Sequence, residues 1–157
     1  MQSDFTLTVS ASATQPLNQT GSITLCGDRF RLSFLDIDAA YDGETLYMYQ
    51  ADTDELTLSH PTEQELLETN PFLYARALSK VCNITEHDNI ITLTPKDQSI
   101  GIQRFTLTLG KDQLPARIEI REGKKTTTLV LRNAKYTNEQ QTYSLTPAKN
   151  TYVNDLR

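Results

Sequence analysis

The side chains that could do chemistry are few and scattered. The two histidines, His60 and His87, have no second His at a ligand spacing. There is no HExxH pair to hold zinc. His60 precedes Pro61 at the end of an alternating run, and His87 falls in Glu86-His87-Asp88, which reads as a turn. Both read as surface histidines. No serine sits in a GxSxG elbow, and the six glycines form no phosphate-cradling loop. Asp36/Asp38 and Asp52/Asp54 have calcium-like spacing but lack the central Gly and terminal Glu of an EF-hand loop, so solvated turns are the better reading. Cys26 and Cys82 make no CxxC. Two buried thiols and a disulfide both stay open, because separation in sequence says nothing about bond geometry. The expectation is therefore no catalytic residue, no metal ligand and no cofactor. An enzyme acting on lipids is the weakest reading, for want of a nucleophile–base pair.

The elements that would position a site are read from bulk properties first. A chain of 157 residues suits one domain, residues 1–157. At this length it buries enough surface to fold without a metal or disulfide staple. A net charge of −5 argues against a nucleic-acid partner, and a monomer is expected. No window reaches the roughly 18 apolar residues of a membrane helix. No secretory leader is visible, and natural sequence upstream of Met1 is expected.

Period-two alternation dominates. Phe5, Leu7 and Val9 alternate with threonine and serine, as do Ile23 and Leu25. The pattern returns in Phe30-Leu32-Phe34, Leu56-Leu58, Phe105-Leu107-Leu109, Ile118-Ile120, Leu129-Leu131 and Tyr143-Leu145. Such runs give strands with one apolar and one wet face. Asp42-Gly43 carries the signature of a type I′ hairpin turn. Asp52-Thr53-Asp54, Gly110-Lys111-Asp112 and Glu122-Gly123-Lys124 are further turns. Short turns between about ten closely spaced strands predict an antiparallel meander. Thr62-Glu63-Gln64-Glu65 is a capping box, and Asn70-Pro71 opens a second helix with Asn at the N-cap and Pro at the first turn. Two short helices, 62–69 and 71–79, thus interrupt an all-β chain. They are too short to cover such a sheet, so either its apolar face encloses a partly filled space or the sheet folds into a packed sandwich.

Tyr41-Asp42-Gly43-Glu44-Thr45-Leu46-Tyr47-Met48-Tyr49 resembles the strand–turn–strand of the periplasmic outer-membrane lipoprotein carriers, the LolA-like family. The similarity continues through Glu55-Leu56-Thr57-Leu58 and Asn70-Pro71-Phe72-Leu73. Asp4-Phe5-Thr6, Gly21, Arg29-Phe30-Arg31, Leu93-Thr94-Pro95-Lys96 and Arg104-Phe105-Thr106-Leu107 extend it over residues 4 to about 155. The resemblance implies a mainly β fold: a strongly curved antiparallel sheet forming an unclosed β-barrel, with short lid helices around residues 62–79. It implies a periplasmic chaperone that binds lipoprotein acyl chains in a hydrophobic cavity. It would receive them from an inner-membrane ABC transporter and pass them to an outer-membrane acceptor. A lipid- or lipoprotein-sensing or accepting module with the same open barrel is the alternative. Two features depart from the family. Its N-terminal lid helix is not seen before the first strand. Its Arg-Pro ahead of the third strand, whose Arg ties lid to sheet, is replaced by Cys26-Gly27-Asp28.

On this reading the acyl-chain wall is the more apolar face of each run: Leu7, Val9, Phe30, Leu32, Phe34, Leu46, Met48, Leu56 and Leu58. Tyr47 and Tyr49 are left to the wet face. Met48 suits a site that accepts irregular chains. Phe72, Leu73 and Tyr74 are the expected lid.

Overall fold

The computed structural model describes residues 1–11, 15–138 and 141–157. Six strands come first: Gln2–Ser10 (β1), Leu17–Cys26 (β2), Arg29–Phe34 (β3), Ile37–Tyr41 (β4), Leu46–Gln50 (β5) and Glu55–Ser59 (β6). Two helices follow, Glu63–Thr69 (α1) and Pro71–Leu78 (α2). The chain then returns to strands: Cys82–His87 (β7), Ile90–Pro95 (β8), Arg104–Leu109 (β9), Pro115–Glu122 (β10), Lys125–Lys135 (β11) and Tyr152–Asp155 (β12).

All twelve described strands join one sheet in the order β12-β6-β5-β4-β3-β2-β1-β11-β10-β9-β8-β7. It consists of two antiparallel meanders, β1 to β6 and β7 to β11, joined edge to edge where β1 pairs with β11. Among the described residues the sheet is not closed by hydrogen bonds; β12 and β7 are its edges. This is the expected unclosed barrel. Register irregularities at Gln2/Asp4 and at Pro115/Arg117 add local twist, as bulges do.

Strand register defines the two faces, because directly opposed residues point the same way. Phe5, Leu7 and Val9 share an inner face with Leu131, Leu129 and Thr127 across β11. That face continues to Ile118 and Ile120 and, on the other side, through Ile23 to Leu32, Ala39 and Met48. Both helices lie on it. Leu66 of α1 packs on a cluster of Phe30, Ala39 and Leu46, while Phe72, Tyr74 and Ala75 of α2 pack on a larger one built around Phe5, Ile23, Phe105 and Ile118.

The helices start as their sequences dictate. Thr62 Oγ1 accepts from the Glu65 N–H, and the Thr62 N–H donates to Glu65 Oε2 at 2.7 Å, completing the capping box. The Asn70 side chain accepts from the N–H groups of Phe72 and Leu73, ahead of Pro71.

Several expectations are corrected, and the open question of the cysteines is resolved. Asp42-Gly43 is not a type I′ turn. Four residues separate β4 from β5, and of the two only Gly43 has positive φ (109°). Asp42 instead accepts the N–H groups of Glu44 and Thr45, because its short carboxylate mimics a turn. Positive φ at two consecutive residues is found at Asp88 and Asn89 (48° and 64°) between β7 and β8, so His87 ends a strand instead of lying in a turn. Tyr143-Leu145 forms no strand. That stretch belongs to the connection from β11, mid-sheet, to β12 at the edge, which pairs parallel to β6 and breaks the antiparallel rule. Tyr143 lies under the Arg29 guanidinium at 5.2 Å. Finally, Cys26 is exposed and Cys82 buried, and both are free thiols.

Gly21 stands opposite Phe5 on β1 and Phe34 on β3, and those two rings stack with centroids 5.7 Å apart. A Cβ at Gly21 would meet the Ser33 carbonyl oxygen and the Phe5 ring. Gly21→Ala, which should gain stability at an unconstrained site, is therefore expected to lose about 1–3 kcal/mol in urea unfolding by overpacking.

Candidate functional site

Over part of the larger cluster, the inner face is left unfilled. A cavity of about 550 Å³ lies under the helices. Phe5 and Leu7 of β1, Ile23 of β2, and Leu32 and Phe34 of β3 form one part of its wall. Ile118, Ile120 and Glu122 of β10, with Lys125, Thr127 and Leu129 of β11, form the other. The roof is Gln64, Leu67, Glu68 and Thr69 of α1, with Pro71 and Tyr74 of α2. The lining is mainly apolar. Its charged members, Glu68, Glu122 and Lys125, are at the helix surface and at the β10–β11 turn, where Lys125 Nζ pairs with Glu122 Oε2 at 3.2 Å.

The roof is lightly attached. No side chain of α1 is fully buried. Leu66 and Leu67 point to different places, the first onto the Phe30–Ala39–Leu46 cluster and the second into the cavity. The second helix is better anchored, since Leu73 and Leu78 are buried. Tyr74 sets its ring edge-on to Phe105 at 6.4 Å. Burial, and after it the charge of Glu122, raises the Tyr74 phenol above its ordinary value, so this ring stays neutral beside the apolar wall. Burial likewise raises the Cys82 thiol, which keeps it protonated and inert.

Of the residues expected in the wall, Leu7, Leu32 and Phe34 line the cavity. Phe30 and Leu46 are on the same face but packed solid beneath Leu66, with Met48 beside them. Val9 is half-buried outside the lining. Leu56 and Leu58 are opposite Tyr49 and Tyr47, which places them on the outer face, away from the cavity. They are buried there all the same. Of the expected lid, Tyr74 reaches the cavity. Phe72 packs against the larger cluster and Leu73 is buried, neither lining the space.

The lining also holds Phe5, Ile23, Ile118, Ile120 and Leu129, and Leu67 from α1. Their alternation was visible, but the pairing of β1 with β11 that sets them around one space is a contact across more than a hundred residues. Among the described residues, no group of three or more His, Cys, Asp or Glu comes together as a metal centre.

At the segment where the resemblance leaves no Arg-Pro, Asp28 holds the lid from the other side. Its carboxylate accepts from Arg76 Nη2 of α2 at 2.7 Å. The carboxylate is on the sheet turn and the guanidinium on the helix.

Residues 35–146 match the family model described as outer membrane lipoprotein carrier protein LolA. No curated protein matches the chain. Among solved structures, an uncharacterized conserved protein from Thermus thermophilus superposes with a TM-score of 0.58 at 14% identity, over 97% of this chain and 90% of that one. A LolA superfamily protein from Nitrosomonas europaea gives a TM-score of 0.44 at 10% identity, over 88% and 86%. The first likeness shows a shared fold.

Both partners of the Asp28–Arg76 pair are more than half exposed, so solvent screens it and its worth is under about 1 kcal/mol. Arg76→Ala is expected to leave the urea midpoint nearly unchanged. It should speed uptake of an apolar fluorescent probe by up to about fivefold, the factor that corresponds to such an energy. Unchanged uptake kinetics would show that the pair does not restrain α2.

Proposed function

This chain belongs to the LolA family of outer membrane lipoprotein carrier proteins, and we propose that its lidded inner face binds acyl chains of lipoproteins and carries them across the periplasm from the inner to the outer membrane. The observation that carries this reading is the mainly apolar cavity of about 550 Å³ over the larger cluster, roofed by the start of α2 and by α1, none of whose side chains is fully buried. Such a space falls within the ~300–1,000 Å³ of sites that take small apolar ligands.

The lining has the chemistry of a binder. It offers aliphatic and aromatic surface, with carboxylates and one amine at its edge, and no nucleophile set against a base. Hydrocarbon entering it leaves water, and each methylene so buried contributes about 0.8 kcal/mol. A carrier must also release what it holds. The lightly held α1 supplies a route: Leu67 can move with the helix while α2 stays anchored by Leu73 and Leu78. Handover partners on this reading are an inner-membrane ABC transporter and an outer-membrane acceptor. The chain acts as a monomer and a single domain.

Wall positions that are half-buried tolerate a charge where fully buried ones do not. Phe30 has no exposed surface, so an Asp there would unfold the sheet and test nothing. Leu32→Asp and Ile120→Asp, at half-buried lining positions, are expected to stay folded by circular dichroism and to weaken binding of a fluorescent palmitoyl probe at least tenfold. Thr106→Asp, on the outer face opposite Glu119, should bind normally. Wild-type binding by both wall variants would remove the cavity from the function.

A further inference from the structure

We infer that the rim of the sheet around the β10–β11 turn docks on the surface of an anionic phospholipid bilayer. The inference goes beyond the function proposed above. It stands on charge and on exposed apolar side chains, so it is tested without a ligand in the cavity.

The chain separates its charge. Residues 104–135 hold eight Lys and Arg against three Asp and Glu, and the remainder holds seven against seventeen. An acidic protein thus carries one basic arc, β9 to β11. Strand register gathers part of that arc at one end of the sheet. There β7 begins opposite the end of β8 (Cys82 with Pro95), and β9 begins opposite the end of β10 (Arg104 with Arg121). At the same end β10 turns into β11 (Glu122 with Lys125). Lys80, Lys96, Arg104, Arg121, Lys124 and Lys125 collect at this rim, and all six are exposed.

These cations are short of partners. Lys125 pairs with Glu122. Among the described residues, the other five form no salt bridge. Arg104 and Arg121 are directly opposed on neighbouring strands, where like charges repel. Of the other carboxylates nearby, Asp97 accepts from the Ser99 N–H at 2.9 Å and Glu68 lines the cavity from α1, neither of them in a salt bridge. A surface of phosphates would relieve this excess of positive charge.

Exposed apolar side chains favour a bilayer over an acidic protein. Leu17, which opens β2 opposite Val9, is 55% exposed, and Val81, just before β7, is 44% exposed. Both are at the basic rim. Cations set among such side chains suit a lipid–water interface, where the charges meet phosphates and the apolar groups leave water. The cavity lining runs out to Glu122, Lys125 and Thr127 at this same end, so docking here turns the cavity toward the lipid. The acidic turns that hold Asp36, Asp52 and Asp54, on the other half of the sheet, are repelled by the same surface, which tilts the molecule onto its basic arc.

The test is co-sedimentation of the full chain with phosphatidylcholine vesicles, with and without about 30% phosphatidylglycerol. Binding is expected on the anionic vesicles alone and should fall away as salt rises from about 0.05 to about 0.5 M. Each basic side chain near such a surface contributes about fivefold. Arg104→Gln, Arg121→Gln and Lys124→Gln together should therefore weaken vesicle binding about a hundredfold, with the urea midpoint unchanged. Lys135→Gln with Lys149→Gln, exposed positions away from this rim, should bind as the parent does. The chain has no Trp, so Leu17→Trp supplies a single reporter. Its emission should shift to the blue on anionic vesicles, and that of Leu156→Trp, exposed at the opposite end of β12, should not. Binding to neither vesicle, equal binding to both, or full binding by the triple variant would overturn the inference. So would binding of polyglutamate without binding of vesicles, which would make the partner an acidic protein. Vesicle binding that persists while the palmitoyl probe fails to bind would leave this inference standing and remove the acyl-chain reading instead.

Discussion

The pairing of β1 with β11 is the constraint on which the rest of this molecule depends. It spans more of the chain than any other antiparallel pair, setting Phe5 beside Leu131 and Leu7 beside Leu129. Each meander alone is an open, half-apolar sheet with an exposed edge, a form that invites wrong pairing. Joined at β1 and β11, they curve around one inner face, and the middle of that face becomes the floor of the cavity. The Phe5–Phe34 stack over Gly21 shows how closely the seam is fitted. It also has a kinetic consequence: so distant a contact must be closed against considerable chain entropy, which slows folding.

Coverage of the inner face is uneven, and that unevenness makes the site. Seven residues of α1 and eight of α2 cannot blanket a twelve-stranded sheet. The larger helix contribution, Leu78 with Tyr74 and Phe72, fills one flank. Leu66 alone caps the other. Over the cavity itself, α1 offers Leu67 and polar residues, and α2 offers Pro71 and Tyr74. The cavity is what remains when two anchored patches of helix are joined by a short segment with little to bury.

How much of this was legible in the sequence follows from which contacts are local. The strands, both helix starts and the unclosed barrel can be read because alternation, the Thr62–Glu65 box and Asn70-Pro71 are signals contained within a few residues. The membership of the wall was only partly legible. Alternation gives two faces but not which one curves inward, and in β6 the more apolar face points out: Leu56 and Leu58 are buried on the outer side opposite the tyrosines of β5. The assumption that greasier means inward holds for β1 and β3 and reverses for β6, because the outer face there is also covered. The parallel strand β12 left almost no signal, since Tyr152–Asp155 is short, mostly exposed and fixed by its pairing to β6. The lid tie shows the same limit. Nothing near Asp28 in sequence points to Arg76, 48 residues away.

On the proposed function the cavity faces opposed demands, to hold a chain and to release it. Sixteen methylenes fully buried would contribute roughly 12 kcal/mol, close to a nanomolar complex before any cost of ordering. Such a complex dissociates too slowly for rapid delivery unless something offsets it. The geometry points to two offsets. Glu122 and Lys125 keep one end of the lining polar, so part of a bound chain remains near water and contributes less than the full transfer energy. And α1, which has no fully buried side chain and turns Leu67 into the cavity, can on this reading settle over the empty wall and recover apolar contact once the chain has left. Tight packing on both flanks then serves release as much as stability. On the proposed reading the sheet is a fixed wall, and α1, which has no fully buried side chain, is the part that moves, at the cost of lifting Leu66 from its cluster.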